Sequence, residues 1–172
     1  VPESDALSNV WFGQPCTSNP EVIDLTIHAA RRYFDATPEA HCFSLGMNDN
    51  RNFCQCENCR ALDIPDQVFR GHPVYSDRWF TYINMVARAL QASHPGKFVG
   101  CLAYMNVEAP PLGIDRLEPN VTVYLTQDSS QHLDAAYRDK DRAFIRSWTE
   151  NCDHVCKYDY YGQEWMVPRY FP

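Results

Sequence analysis

Four short apolar runs separated by segments of helical spacing constrain the fold of this chain more than any other feature. The runs are Cys42-Phe43-Ser44-Leu45-Gly46, Phe98-Val99-Gly100-Cys101-Leu102-Ala103-Tyr104, Val121-Thr122-Val123-Tyr124-Leu125 and His154-Val155-Cys156-Lys157-Tyr158-Asp159-Tyr160. Their β-branched and aromatic content reads as strand. A helix opens at Ser18-Asn19-Pro20-Glu21, a polar cap followed by proline in the first turn. Its apolar positions Val22, Ile23, Leu25, Ile27, Ala30 and Phe34 reach to about Asp35. A second helix starts at Ser76-Asp77, read as its cap, and carries Trp79, Phe80, Ile83, Val86, Ala87 and Leu90 on one stripe. A third covers Leu133 to Trp148. The order α-β-α-β-β-α-β predicts an α/β fold with a parallel sheet. Continuous apolar runs predict strands covered on both faces. Four strands are too few to close a barrel.

Charge and hydropathy narrow the partners. The 22 acidic and 15 basic residues leave a net charge of −7. That gives no basic footprint for a phosphate backbone, so no nucleic-acid partner is expected. No run approaches the ~18 apolar residues of a membrane span. The start at Val1-Pro2-Glu3 carries no signal peptide and reads as an excised or processed piece.

Residues 47–75 show no periodicity. A loop of that length inside a compact domain is usually functional or cross-linked. It contains Cys54-x-Cys56-x-x-Cys59, three thiols within six residues. Such thiols can converge on a tetrahedral metal given one more ligand, and Cys16, Cys42 and His72 are the candidates. Disulfides are the alternative in an exported protein, for instance to Cys16 or between Cys152 and Cys156. Both readings make the cluster structural, because no base is paired with a thiol.

Polar and aromatic residues trail each strand: Asn48-Asp49, Tyr104 with Asn106, Gln127-Asp128, and Asp159-Tyr160-Tyr161 followed by Glu164. In parallel α/β folds the C-terminal strand ends carry the site. A carboxyl group there serves as a general acid where burial raises its pKa. The bland reading is that Asn and Asp favour turns and that tyrosines pack cores. Asn120-Val121-Thr122 matches a glycosylation sequon.

Pro15-Cys16-Thr17-Ser18-Asn19-Pro20-Glu21-Val22, Ser44-Leu45-Gly46-Met47-Asn48-Asp49 and Phe53-Cys54-Gln55-Cys56-Glu57-Asn58-Cys59 occur in that order. They are followed by Ser76-Asp77, Tyr82-Ile83-Asn84, Leu102-Ala103-Tyr104, Pro110-Pro111, Trp148 and Tyr158-Asp159-Tyr160. This succession resembles the bacterial family called domain of unknown function 4838, over roughly residues 14–172. Asn-Asp followed by the cysteine triplet is its most specific part. That family resembles glycoside hydrolases, and some members are grouped as glycoside hydrolase family 163, endo-β-N-acetylglucosaminidases acting on N-glycans.

The resemblance implies a (β/α)8 barrel of the hexosaminidase type. Residues 1–172 would form a single partial barrel domain covering about half of it, roughly strands 4 to 7, and the remainder of that barrel becomes an expected partner. It implies a substrate-assisted retaining reaction with Asp49 and Asn48 as catalytic residues. Tyr104, Asn106, Asp128, Asp159 and Tyr160 would contact the glycan. No cofactor is expected for the chemistry, Cys54, Cys56, Cys59 and Cys16 are expected to hold a structural zinc or to form disulfides, and the protein is expected to be exported. The competing expectations are a catalytically inactive carbohydrate-binding barrel and a metal- or disulfide-stapled structural domain.

Overall fold

A computed structural model describes residues 13–159. Trp11, Phe12, Tyr160, Tyr161, Glu164 and Trp165 lie outside the described residues. The elements run α1 (Pro20–Ala36), β1 (Cys42–Ser44), α2 (Glu57–Arg60), β2 (Val68–Phe69), β3 (His72–Pro73), α3 (Ser76–Ser93), β4 (Phe98–Ala103), β5 (Val121–Gln127), α4 (Ala135–Asn151) and β6 (His154–Asp159). Short 3-10 turns cover Met105–Val107 and Ser129–Leu133. The predicted parallel sheet is present, in the order β1-β4-β5-β6 with every pairing parallel.

Local chemistry explains the helices. Asn19 caps α1, its side chain accepting from the Glu21 N–H at 2.9 Å, and Pro20 needs no donor there. Ile23, Ala30 and Phe34 bury the expected stripe. Asp134 caps α4 by accepting from Ala136 N and Tyr137 N, so this helix starts later and ends later than its periodicity suggests. The capping role read for Ser76-Asp77 is not what these residues do. Tyr75 is the cap residue of α3, without a side-chain bond. Ser76 donates instead to Ala109 O at 2.5 Å, and Asp77 accepts from Leu112 N at 3.3 Å and Gly113 N at 2.6 Å. Their polar side chains fasten the 109–113 loop onto the helix, a contact between segments that no local pattern encodes.

One face of the sheet holds the core. In register, Val99, Cys101 and Ala103 on β4 sit beside Val121, Val123 and Leu125 on β5. These pack with Phe34, Trp79, Phe80, Ile83, Leu90 and Trp148 in one cluster, so α1, α3 and α4 lie on the same side. Phe80 and Trp148 meet edge to face at 5.1 Å. The opposite face bears Cys42, Ser44, Leu102, Thr122, Tyr124 and Tyr158, all half-buried or exposed, around a hollow of about 360 Å³. Coverage on both faces, expected from the apolar runs, is therefore not seen among the described residues. Alternate positions such as Thr122 and Tyr124 tolerate a partly wet surface. On this face Phe98 of β4 and His154 of β6 meet at 5.1 Å across the intervening β5.

The long loop gains some structure of its own. It contains α2 and the β2–β3 hairpin, in which Val68 pairs Pro73 and Phe69 pairs His72. Arg70 (φ 49°) and Gly71 (φ 80°) form the turn, and positive φ at both central residues is the pattern of type I′. A buried Arg78 on α3 holds the loop from below, bonded to both Asp63 carboxylate oxygens and at 2.5 Å to Cys54 O. The Asn120 sequon is closed off: Asn120 is buried, its amide nitrogen given to Ala87 O at 2.9 Å and Lys97 O at 3.3 Å.

Asp77→Ala would leave two backbone N–H groups without their acceptor. It should cost about 1–3 kcal/mol of unfolding free energy, read as a lowered urea midpoint at unchanged slope. An unchanged midpoint would mean the loop is held otherwise.

Candidate functional site

Parallel pairing aims the C-terminal ends of β1, β4, β5 and β6 at one edge of the sheet. Leu45 N donates to Gly100 O at 2.8 Å, prolonging the β1 pairing by one residue before the chain turns into Asn48-Asp49. A second segment clamps that turn. Gln14 is buried, accepts from Asn48 N at 2.9 Å, and donates to Asn48 O at 2.7 Å and Asn50 O at 2.9 Å. Asn48 Nδ2 in turn donates to Gly13 O at 2.7 Å. Asn48 is thus engaged by the strap at residues 13–14, while Asp49 is exposed and accepts from the Tyr104 hydroxyl at 3.2 Å.

Tyr104 borders a cleft of about 340 Å³ whose other walls include Arg51, Arg70, His72, Glu108, Asp128 and Tyr137. The β2–β3 hairpin forms one side of it, its Phe69 stacked on Phe144 of α4 at 5.5 Å. Met105, at φ 50°, and Arg70 both border the cleft in left-handed backbone, so local strain concentrates there.

Glu108 is the residue that the sequence reading missed. It follows the 3-10 turn after β4 and is buried, with its carboxylate 3.1 Å from the Arg70 guanidinium. Burial pushes its pKa above the ordinary carboxylate value; the charges of Arg70 and Arg51 pull the other way without cancelling the shift. Its backbone oxygen accepts from Trp148 Nε1 at 3.0 Å, which fixes the segment to the core. A carboxyl two positions before Pro110-Pro111 gives no sequence signal by itself. Its place just past a parallel strand end was the available clue.

The remaining predicted residues divide. Asp128 borders the cleft, half-buried, and accepts from Gln131 Nε2 at 2.8 Å. Asp159 accepts from Ser129 N at 3.0 Å and from Ser129 Oγ, and pairs with Lys157 at 2.5 Å. Burial opposes its charge, but the Lys157 and Ser129 hydrogen bonds outweigh burial and hold its pKa below the ordinary range. Asn106 is buried and turned to structure: its Nδ2 donates to Pro73 O at 2.7 Å and its backbone oxygen accepts from Tyr75 N at 2.7 Å. Tyr160 lies outside the described residues. Beneath Gln127, the buried Asp141 accepts from the Gln127 amide and sits 2.8 Å from His132 Nε2.

The thiols converge as the spacing suggested, and the fourth is Cys16. The Sγ atoms of Cys16, Cys54, Cys56 and Cys59 all lie within 4.8 Å of one another and could hold a metal ion. Cys16 is 3.8 Å from Cys56 and 3.7 Å from Cys59. Cys56 caps α2 and accepts from Cys59 N at 3.4 Å; this bond leads in lowering its pKa to about 6, with Ser18 adding to it. Cys42, on β1, and His72, in the cleft, are not part of this group. Cys152 sits buried under β5, its thiol toward Val121 O and His154 O.

The chain matches the family described as Domain of unknown function (DUF4838) over residues 4–172, and it belongs to that family. No curated protein and no solved structure matches it. Among the described residues no helix is long and apolar enough to cross a membrane.

Arg70→Met removes the cation that favours the charged form of Glu108. The Glu108 pKa should rise further, measured by carboxyl carbon NMR titration. A fall, or no change, would show that the Arg70 contact does not govern this group.

Proposed function

We propose that this chain is part of a glycoside hydrolase acting on N-acetylglucosamine-containing glycans, endo-β-N-acetylglucosaminidase-like, with a substrate-assisted retaining mechanism. The observation that carries the reading is a buried carboxyl of raised pKa, Glu108, in a 340 Å³ cleft beside the Tyr104–Asp49 pair at the C-terminal edge of a parallel sheet. A sugar ring needs a concave site with hydrogen-bonding aromatics and an acid whose proton is held above the ordinary carboxylate range, and such groups gather here.

In the proposed reaction the acetamido oxygen of the bound sugar attacks the anomeric carbon and forms a bond to it. The glycosidic carbon–oxygen bond breaks, and the Glu108 proton passes to the departing oxygen. Water then adds to the anomeric carbon, gives its proton to the Glu108 carboxylate, and opens the cyclic intermediate. Such substrate assistance departs from the two-carboxylate scheme. Asp49, held by the Tyr104 hydroxyl, orients the acetamide and balances the charge that develops on it. Asn48 shapes the same turn, and Asp128 and Asp159 supply hydrogen bonds to hydroxyls.

The reading also takes the sheet as roughly strands 4 to 7 of a (β/α)8 barrel. Its support, among the described residues, is helix cover on one face, the Phe98–His154 contact across β5 on the other, and two edge strands, β1 and β6, each with a partner on one side only. An isolated edge invites pairing, and the rest of the barrel would supply it. Zinc is the metal proposed for the four thiols, since four clustered cysteine sulfurs suit it best. An exported location fits a glycan substrate.

Chromogenic glycosides of N-acetylglucosamine test the reading with the natural full-length protein. Glu108→Gln and Asp49→Asn should each lower kcat by about 10²–10⁴-fold, with far-UV circular dichroism unchanged. In the unaltered protein, turnover should fall as pH rises through the Glu108 pKa, which lies above the ordinary 4.5. Ionisation removes the proton the leaving group needs, hence the sign. Glycan binding without turnover in any buffer would instead support the inactive carbohydrate-binding barrel.

A further inference from the structure

The cysteine cluster and the Asp49 turn are joined by one short strap. Residues 13–16 carry a thiol at one end and the clamp on Asn48 at the other. Gln14 N donates to Asn52 O at 2.8 Å, adding to the side-chain bonds by which Gln14 grips Asn48 and Asn50. Cys16 lies two residues further on, and its sulfur reaches Cys56 and Cys59, which are 40 and 43 positions away in sequence.

The geometry suits a tetrahedral ion. Zinc–sulfur bonds of about 2.3 Å put neighbouring sulfurs of a regular tetrahedron about 3.8 Å apart, and the Cys16 distances are 3.8 and 3.7 Å. A disulfide would need roughly 2.05 Å. Outer contacts fit thiolate ligands too. Ser18 Oγ lies 3.1 Å from Cys59 Sγ and 3.6 Å from Cys56 Sγ, and the buried Arg78 guanidinium interacts electrostatically with Cys59. Donors of this kind orient metal-bound sulfurs and offset their charge.

We infer that Zn2+ held by Cys16, Cys54, Cys56 and Cys59 positions the Asp49 turn, through Cys16 and the Gln14 clamp, so that metal occupancy controls the candidate glycan site. Without the ion, nothing covalent or coordinate ties residue 16 to the loop. The strap then frays, and Asn48–Asn52 lose their outer partner. Only the link from the turn to glycan affinity rests on the function proposed above.

The test uses the natural full-length protein purified in reductant. Metal analysis should give one zinc per chain. Removal by a chelator should speed amide hydrogen exchange in residues 48–53 by about tenfold while β4 and β5 are unaffected. Cys16→Ser should lose the zinc and show the same fast exchange. Gln14→Ala keeps all four thiols, so it should retain zinc yet still exchange fast at 48–53, which a purely local metal staple would not predict. N-acetylglucosamine affinity, by calorimetry, should fall in all three forms. Absence of bound zinc, or exchange at 48–53 indifferent to its removal, overturns the inference. Exchange that responds while no form binds N-acetylglucosamine leaves the metal link standing and removes the glycan reading instead.

Discussion

Parallel pairing of four strands with helices against one face is the constraint on which everything else depends. Because β1, β4, β5 and β6 all run the same way, every loop that leaves a strand leaves at the same edge. Residues far apart in sequence are thereby delivered to one place: Asp49 meets Tyr104 across 55 positions. The helical side buries Trp79, Phe80, Trp148 and the β4–β5 aliphatics, so a packed core supports the loops that leave the strand ends. The other face, with Tyr124, Leu102 and Cys42 around a hollow, remains half-solvated.

Polar groups in this core work as ties to the loops. Trp148 fills the core and gives its indole N–H to the Glu108 carbonyl; Arg78 is buried under the long loop and holds Asp63 and Cys54. Asp77 and Ser76 fasten the segment after the 3-10 turn. A buried ion pair such as Arg78–Asp63 adds little net stability, because desolvation offsets the attraction. It does specify where a long, irregular segment must lie. The same reasoning accounts for the cleft: hairpin, 3-10 turn and α4 are each tied to the core, so Glu108 is held out of water and its proton is retained to higher pH.

Much of this was legible from the residues. Apolar spacing marked α1 and α3 because a helix buries a stripe, and the Asn19-Pro20 cap is local chemistry. The polar clusters after each strand were visible as well, since strand ends are read from short-range pattern. The short hairpin and α2 inside residues 47–75 were not. Two-residue strands and a four-residue helix are too brief to show a period, and the hairpin's rest on α4 through Phe69 and Phe144 is a contact between distant segments. Asn106 was expected at the glycan and Asn120 headed a glycosylation sequon, yet both are buried donors to backbone carbonyls. Glu108 had no motif around it.

Thus the amino-acid order alone determined the alternation of strands and helices, the acidic surface, the cysteine spacing and the membership in the DUF4838 family. These depend on neighbours within a few residues or on recurrent pattern. Tertiary structure decided which cysteine completes the cluster, which asparagines are buried, that the described helices pack on the same face, and that an unremarked glutamate becomes a buried acid of the cleft. Burial and proximity arise only when distant segments close on one another, and a pKa or a ligand set follows from those distances.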